Sequence, residues 1–258
     1  MIINKITIIG TGNVAHVLGK LFLANGINIV EVYGRCINKA TALANILQAT
    51  PNTNLATLSN QTHLFLVCIK DTALPQFALN FTPTNIPIVH TAGSVAMQVL
   101  KPASKNIGVF YPLQSLLSNM ELIPQIPFLI TANNTILEHA LLNLAAAIKS
   151  NAQIINCENR QAMHLAAVFS NNFTNYMYYC AQQLCNTHQV NFAMLQPLIT
   201  ETANRLLHHL PSTLQTGPAL RGDAATQKKH ITMLSPNTLL QRVYRNISNA
   251  IFTSLSNK

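Results

Sequence analysis

Acidic side chains are scarce in this chain, whose 258 residues carry 7 Asp and Glu against 16 Lys and Arg. Beyond Glu31 only Asp71, Glu121, Glu138, Glu158, Glu201 and Asp223 remain. A mechanism that needs paired carboxylates, or a metal site built from several of them, therefore has little material, and no metal is expected. Long apolar runs are missing too, since none approaches the roughly 20 residues of a membrane span. The five cysteines, Cys36, Cys68, Cys157, Cys180 and Cys185, are odd in number and contain no Cys-x-x-Cys pair. That speaks against a disulfide framework and against zinc, and small core side chains are the simplest reading. The N-terminus enters a strand without a basic segment, an apolar h-region or a small-residue cleavage site, so the expected compartment is the cytoplasm. Apart from Lys228-Lys229 the basic residues are scattered, with no arginine-rich arm or aromatic RNA-binding signature. The expectation is no nucleic acid, and a surface that attracts small anions.

What the sequence does have is concentrated at its beginning, in ITIIGTGNVAHVLGKLFLANGINIVEVYGR, Ile6 to Arg35. Ile6, Ile8 and Ile9 form an apolar strand that ends at Gly10-Thr11-Gly12-Asn13-Val14-Ala15. An amphipathic helix follows through Val14, Leu18, Leu21 and Phe22, and a second strand runs from about Asn28 to Tyr33. This is the Gly-x-Gly-x-x-Ala variant of the dinucleotide fingerprint, in the strand-turn-helix context it requires. Gly10 permits the tight turn, Gly12 lets backbone approach a pyrophosphate, and Ala15 lets the helix pack closely on its strand. A cofactor of the NAD type calls for Asp or Glu at the end of the second strand. Here the end is Tyr33-Gly34-Arg35, and a guanidinium offers planar donors to a 2′-phosphate, which favours NADP(H). Glu31 is the rival group, two residues before the strand end, where alternation directs it along the sheet rather than to the ribose.

Strand and helix patterns then alternate. Lys39 to Leu47 has helical spacing, His63 to Ile69 reads as a strand ending at Lys70-Asp71, and Ile86 to His90 as a strand ending at Thr91-Ala92-Gly93-Ser94. Ligands of open parallel sheets lie outside the carboxyl ends of the strands, so Ile69, Lys70, Ala92 and Gly93 join Gly34 and Arg35 as candidate cofactor contacts. Further strands are expected at Ile107 to Phe110, ending in Tyr111-Pro112-Leu113-Gln114, at Phe128 to Thr131 and at Gln153 to Asn156, with a helix near Thr135 to Lys149 between the last two. From Glu158 the pattern is helical almost to Lys258. The predicted fold is α/β, with a doubly wound, mostly parallel N-terminal sheet over 1–157 and an all-helical C-terminal domain over 158–258.

The first long helix of that second half carries a polar stripe. At about 100° per residue His164, Asn171, Asn175 and Gln182 fall within roughly 20° of one line, with Tyr178 and Asn172 further round. The stripe holds amides, an imidazole and a phenol but no Lys or Glu, which suits a cleft wall better than an open water face. Arg221, on the glycine-bounded loop of Gly217-Pro218-Ala219-Leu220-Arg221-Gly222-Asp223, suits a substrate carboxylate. Asp223 reads as a helix N-cap and His230 as a core histidine, while Glu201 suits a surface pair with Arg205 and a catalytic use equally. Helices with apolar residues on several faces, Phe192 to Leu207 and Leu239 to Phe252, predict a homodimer through the helical half.

In order along the chain, GTGNVA, VYGR, HTAGS, FYPLQS, HLAAVFSNNFTN, LITET and GPALRGD followed by His230 resemble the Rossmann-like proteins with a C-terminal DUF2520 domain. That group is a branch of the 6-phosphogluconate-dehydrogenase-like superfamily, beside pyrroline-5-carboxylate reductase, F420-dependent NADP reductase and ketopantoate reductase. The resemblance implies NADPH-dependent reduction of a small anionic keto acid, most concretely 2-dehydropantoate (ketopantoate) to pantoate. Ketopantoate reductases carry a Lys on the first helix of the C-terminal domain, with Asn one and two turns on. This chain offers His164, Val168 and Asn172 there. By that comparison His164 is the candidate acid, Asn171, Asn172 and Asn175 orient the substrate, and Arg221 holds its carboxylate. The alternatives are an imine reductase of the pyrroline-5-carboxylate type and a sensor or scaffold that binds NADP(H) without turnover.

Overall fold

The computed structural model describes residues 1–255. Ser256 to Lys258, the end of the expected helical half, lie outside the described residues. Eight strands form one sheet in the order β3-β2-β1-β4-β5-β6-β7-β8. They are β1 (Lys5–Ile9), β2 (Asn28–Tyr33), β3 (Thr50–Asn52), β4 (Leu64–Val67), β5 (Ile88–His90), β6 (Ile107–Pro112), β7 (Phe128–Ala132) and β8 (Ala152–Ile154). All neighbouring pairs are parallel except the antiparallel β6-β7 pair. The chain winds outward from β1 to β3 and then returns to place β4 on the other side of β1, which creates the topological switch point where such sheets bind ligands.

The central strands are almost wholly apolar because both sheet faces are covered, with Thr7 in β1 and His90 in β5 as buried exceptions. Ile6, Ile8, Leu64, Leu66 and Phe110 pack in one cluster with Leu18 and Phe22 of α1 (Asn13–Ala24) and Leu47 of α2 (Ile37–Leu47). On the opposite face Ile9, Phe65, Val67 and Ile88 pack with Leu74 and Phe77 of α3 (Leu74–Asn80). Helix α4 (Thr135–Ala147) starts at an N-cap in which Asn134 accepts from the Leu137 amide, and it covers the β7 edge of the first cluster.

Expectation and structure differ at several points, each for a local reason. The expected strand at Gln153 to Asn156 is β8, and it ends at Ile154. Asn156 is the N-cap of α5 (Cys157–Ala167), where its side chain accepts from the Asn159 amide, so the chain turns into the helix after one last bond, from the Ile155 amide to the Ile130 carbonyl. Strand β3 was not foreseen because it is short and contains Pro51, which an edge strand tolerates. Of the cysteines read as core residues, Cys68, Cys180 and Cys185 are buried, but Cys36 is exposed at the start of α2 and Cys157 is only partly covered.

The described chain divides into two compact units, Met1–Asn172 and Phe173 onward. The division expected after Cys157 falls earlier than this, because α5 is tied to the sheet through Arg160. The second unit contains α6 (Thr174–Thr187), α7 (Gln196–Asn204), α8 (Pro211–Leu214), α9 (Ala224–Met233) and α10 (Thr238–Leu255). Its small core joins Cys180, Leu234 and Leu240 with Met177 and Tyr244, and His230 Nδ1 lies 2.8 Å from Tyr244 Oη. No helix among the described residues is long and apolar enough to cross a membrane.

Candidate active site

A groove of about 530 Å³ opens at the carboxyl ends of β1, β2 and β4, lined among others by Gly10, Thr11, Gly12, Gly34, Arg35 and Lys70. Gly10 has φ +124°, and a Cβ there would run into the carbonyl of Cys68, so only glycine lets the turn pass under β4. Gly12 is open: a Cβ would meet nothing within 4 Å, which leaves space for a ligand to approach the backbone. Gly12 also caps α1 without a side-chain bond, and the first turn contains no acid, so its amides remain available to an anion. Ala15 is buried against the sheet and Val14 packs partly into the core, as the fingerprint requires. Lys39 joins Arg35 in the groove, whose lining includes no acid. These features fit a dinucleotide, and the cationic end fits one with an extra phosphate.

Glu31 is spoken for elsewhere. It is buried, with Oε2 accepting from the Ser59 amide at 2.6 Å and Oε1 from Asn52 Nδ2 at 3.2 Å. Its register in β2 aims it into the loop that follows β3, where it holds that loop to the sheet. The carboxylate that would read a ribose and repel a 2′-phosphate is thus occupied away from the groove.

A second groove, of about 510 Å³, is lined by Tyr111, Leu113, Gln114 and Ser115 from the end of β6 and by α5 and the residues after it, including His164, Asn171 and Asn172. Tyr111 Oη and His164 Nδ1 are 2.8 Å apart, with the rings edge to face at 5.6 Å between centroids. Gly93 sits directly against this pair, because a Cβ there would stand 2.8 Å from His164 Nδ1 and from Tyr111 Cζ. Burial, and after it the negative charge of Asp71, push the Tyr111 phenol above its usual range, so it stays protonated at neutral pH.

The loop after β5 is shaped by α5. Arg160 is 0% exposed and donates from Nε to the Gly93 carbonyl (3.2 Å), from Nη2 to the Val95 carbonyl (2.5 Å) and from Nη1 to Thr131 Oγ1 (2.7 Å). Gln161 Nε2 donates to the Ser94 carbonyl at 2.8 Å. Two adjacent side chains of one helix thereby take three successive carbonyls. Among the described residues Arg160 has no carboxylate partner, so dipoles rather than a counter-ion stabilise its buried charge. His90 lies beside it, fully buried, with its pKa lowered to about 4, first by burial and then by the Arg160 charge.

The stripe expected along one straight helix is interrupted. After α5 the chain forms a π-helical turn, Val168–Phe173, before α6 begins. Bonds from i to i+5 break the constant angular step, so the single line from His164 to Gln182 does not apply. His164 belongs to α5, Asn171 and Asn172 to the π-turn, and all three line the second groove. Asn175 lies in α6 and Arg221 on an exposed loop, both in the second unit. Ala92 and Gly93 are buried at the end of β5 and are not among the residues lining the first groove. Within the second unit Asp223 is an N-cap that accepts from the Thr226 amide at 3.0 Å, and Glu201 pairs with Arg205 at 2.8 Å on an exposed face. Sequence reading missed Arg160, Gln161 and Tyr111 as site residues. The signal for Tyr111 was its place at the end of a parallel strand, and for Arg160 its position one turn before His164. Among the described residues no group of three His, Cys, Asp or Glu stands ready to hold a metal ion.

Residues 5–86 match the family "NADP oxidoreductase coenzyme F420-dependent", and residues 126–251 match the domain of unknown function DUF2520. A Bacteroides fragilis protein named as an NADP oxidoreductase is 35% identical in sequence, with 97% of this chain and 98% of that chain covered and a TM-score of 0.90. The 1-pyrroline-5-carboxylate reductase of Streptococcus pyogenes shares the fold at 14% identity, with 96% and 98% of the two chains covered and a TM-score of 0.65. An imine reductase of Myxococcus stipitatus, solved with NADP+, does so at 12% identity, with 98% and 93% covered and a TM-score of 0.66. No curated protein sequence matches the chain. With its fingerprint turn, its acid-free cationic groove and a relative this similar over its whole length, the chain belongs to the Rossmann-like NADP oxidoreductases that carry a C-terminal DUF2520 segment.

Proposed function

We propose that this protein reduces a small 2-keto acid with NADPH, with 2-dehydropantoate (ketopantoate) to pantoate as the first reaction to test. The observation that carries this reading is the 2.8 Å contact between Tyr111 and His164 in a groove whose other polar lining groups are amides and hydroxyls. NADPH, when bound, supplies a hydride. A carbonyl that receives a hydride also needs a proton on oxygen, and the Tyr111–His164 pair is the titratable donor available in this groove. A phenol that stays protonated gives the proton, and the imidazole behind it replaces it from solvent. Asn171 and Asn172 are the proposed orienting amides. Asn175 and the exposed guanidinium of Arg221 are the proposed partners of the substrate carboxylate. Gly10 to Ala15, Gly34, Arg35, Ile69 and Lys70 are the proposed cofactor contacts, with Ala92 and Gly93 beside them after β5.

A second reading, reduction of a cyclic imine of the pyrroline-5-carboxylate type, draws on the fold shared with such reductases. An iminium substrate brings its own proton, so this reading predicts turnover that survives loss of His164. NADPH oxidation followed by absorbance, with ketopantoate, other 2-keto acids and pyrroline-5-carboxylate compared, decides between them. NADPH binding without oxidation of any of these would leave a cofactor-binding protein without turnover. We further propose a homodimer, supported by exposed apolar side chains in the helical half such as Leu198, Leu207 and Leu210, at 64%, 76% and 70% exposure. Work in the cytoplasm is supported by five free thiols.

A further inference from the structure

The segment between β6 and β7, residues 113–127, is long for a connection inside a compact domain and is closed at its neck. The Leu113 amide donates to the Pro127 carbonyl at 2.8 Å, and Gln114 Nε2 donates to the Gln125 carbonyl at 3.4 Å. Such a closed loop is commonly functional. Leu113, Gln114 and Ser115 line the groove of Tyr111 and His164. Further along, Leu116 and Ile126 are buried in the core cluster that Val14 and Ile123 also touch. The tip stands out in solvent, with Leu117 52% and Leu122 87% exposed. Beside Leu117, the Ser118 amide donates to Asn13 Oδ1 at 3.1 Å.

Asn13 is the first residue of α1, next to Gly12 of the fingerprint turn. Its backbone amide belongs to the unpartnered first turn that faces a pyrophosphate, whereas its side chain fastens the loop that forms one wall of the second groove. One residue therefore touches both sites with different atoms. We propose that Asn13 is a positioning residue that couples them: a dinucleotide on the glycine turn immobilises Asn13, which through Ser118 steadies loop 113–127 and its groove residues Gln114 and Ser115. The free energy for this comes from ordering that the first ligand has already supplied. The inference rests on the NADP(H) reading above, and needs no substrate to be known.

Hydrogen exchange of the full chain, followed by mass spectrometry with and without saturating NADPH, tests it alongside a fluorescence titration of NADPH. In the unaltered protein NADPH is expected to slow exchange in loop 113–127 by about tenfold. Asn13→Ala removes the acceptor, so at saturating NADPH the loop protection should disappear. Ser118→Pro removes the donating amide from outside the fingerprint turn and fixes the local φ, so NADPH affinity should stay within about threefold while the loop protection disappears, whereas Ser118→Ala keeps that amide and should act like the unaltered protein. NADPH binding with no slowing of loop exchange, or protection retained in both Asn13→Ala and Ser118→Pro, would overturn the coupling. Failure to bind NADPH in the titration would overturn the cofactor reading, and this inference with it.

Discussion

Tyr111 Oη lies 2.8 Å from His164 Nδ1, and each ring is also packed against Gly93. One ring nitrogen of His164 is therefore committed to Tyr111, so in the proposed reaction the two side chains act together rather than as alternatives.

Loss of either member should stop proton delivery to a keto acid. His164→Ala and Tyr111→Phe are each expected to lower turnover by roughly 10²- to 10⁴-fold, and the double variant to add little to the larger single effect. NADPH binding should hardly change, since the fingerprint turn lies at other strand ends. Steady-state kinetics with fluorescence titration checks this, and near-normal turnover in both single variants returns the pair to a structural role.

Arg35 stands at the end of β2 with Glu31 tied to Ser59, so the groove there has cations and no acid. Losing a charge-assisted phosphate contact costs about 1.5–3 kcal/mol, or roughly ten- to a hundredfold in affinity. Arg35→Ala should weaken NADPH by that factor and NADH far less. Calorimetry with both cofactors decides it; equal losses would show that Arg35 does not read the phosphate.

Removing Arg160 strands the carbonyls of Gly93 and Val95, while the Thr131 hydroxyl keeps its bond to the Ile155 carbonyl. Arg160→Met should destabilise the fold by about 2–4 kcal/mol, while Arg160→Lys, which keeps the charge but not the planar fork, should recover only part. Urea unfolding measures both, and an unchanged midpoint for Arg160→Met contradicts the clamp.

His90 has a folded pKa of about 4 against an ordinary value of 6.5. Between those values the unfolded chain binds a proton that the folded chain does not, so stability is complete above about pH 6.5 and falls as pH drops toward 4. The loss is on the order of 3 kcal/mol at the acid end. Thermal unfolding across this window should show it, and His90→Asn should flatten the slope; a slope of the same steepness in that variant would assign it to other groups.

Light scattering at micromolar concentration should return twice the 28.3 kDa chain mass. A monomer that keeps full activity removes the dimer from the proposal.

The amino-terminal unit was legible because its determinants are local. Gly10, Gly12 and Ala15 act within one turn, and the apolar run of β1 followed by the periodic face of α1 leaves one way to fold them. Arg35 and the N-cap at Asp223 were readable for the same reason. The π-turn at Val168–Phe173 was not, since an i to i+5 pattern leaves no mark on composition and shifts the faces that a 100° step assigns. Nor could the sequence pair Tyr111 with His164 across 53 residues, aim Glu31 at Ser59, or bury Arg160 under three carbonyl and hydroxyl acceptors. Sequence spacing determined which elements form and that β1 ends in a glycine turn whose following helix has no acid in its first turn. Which polar groups face each other was decided only when β5, β6 and α5 packed together, because a hydrogen bond depends on distances of a few tenths of an ångström that no local pattern encodes.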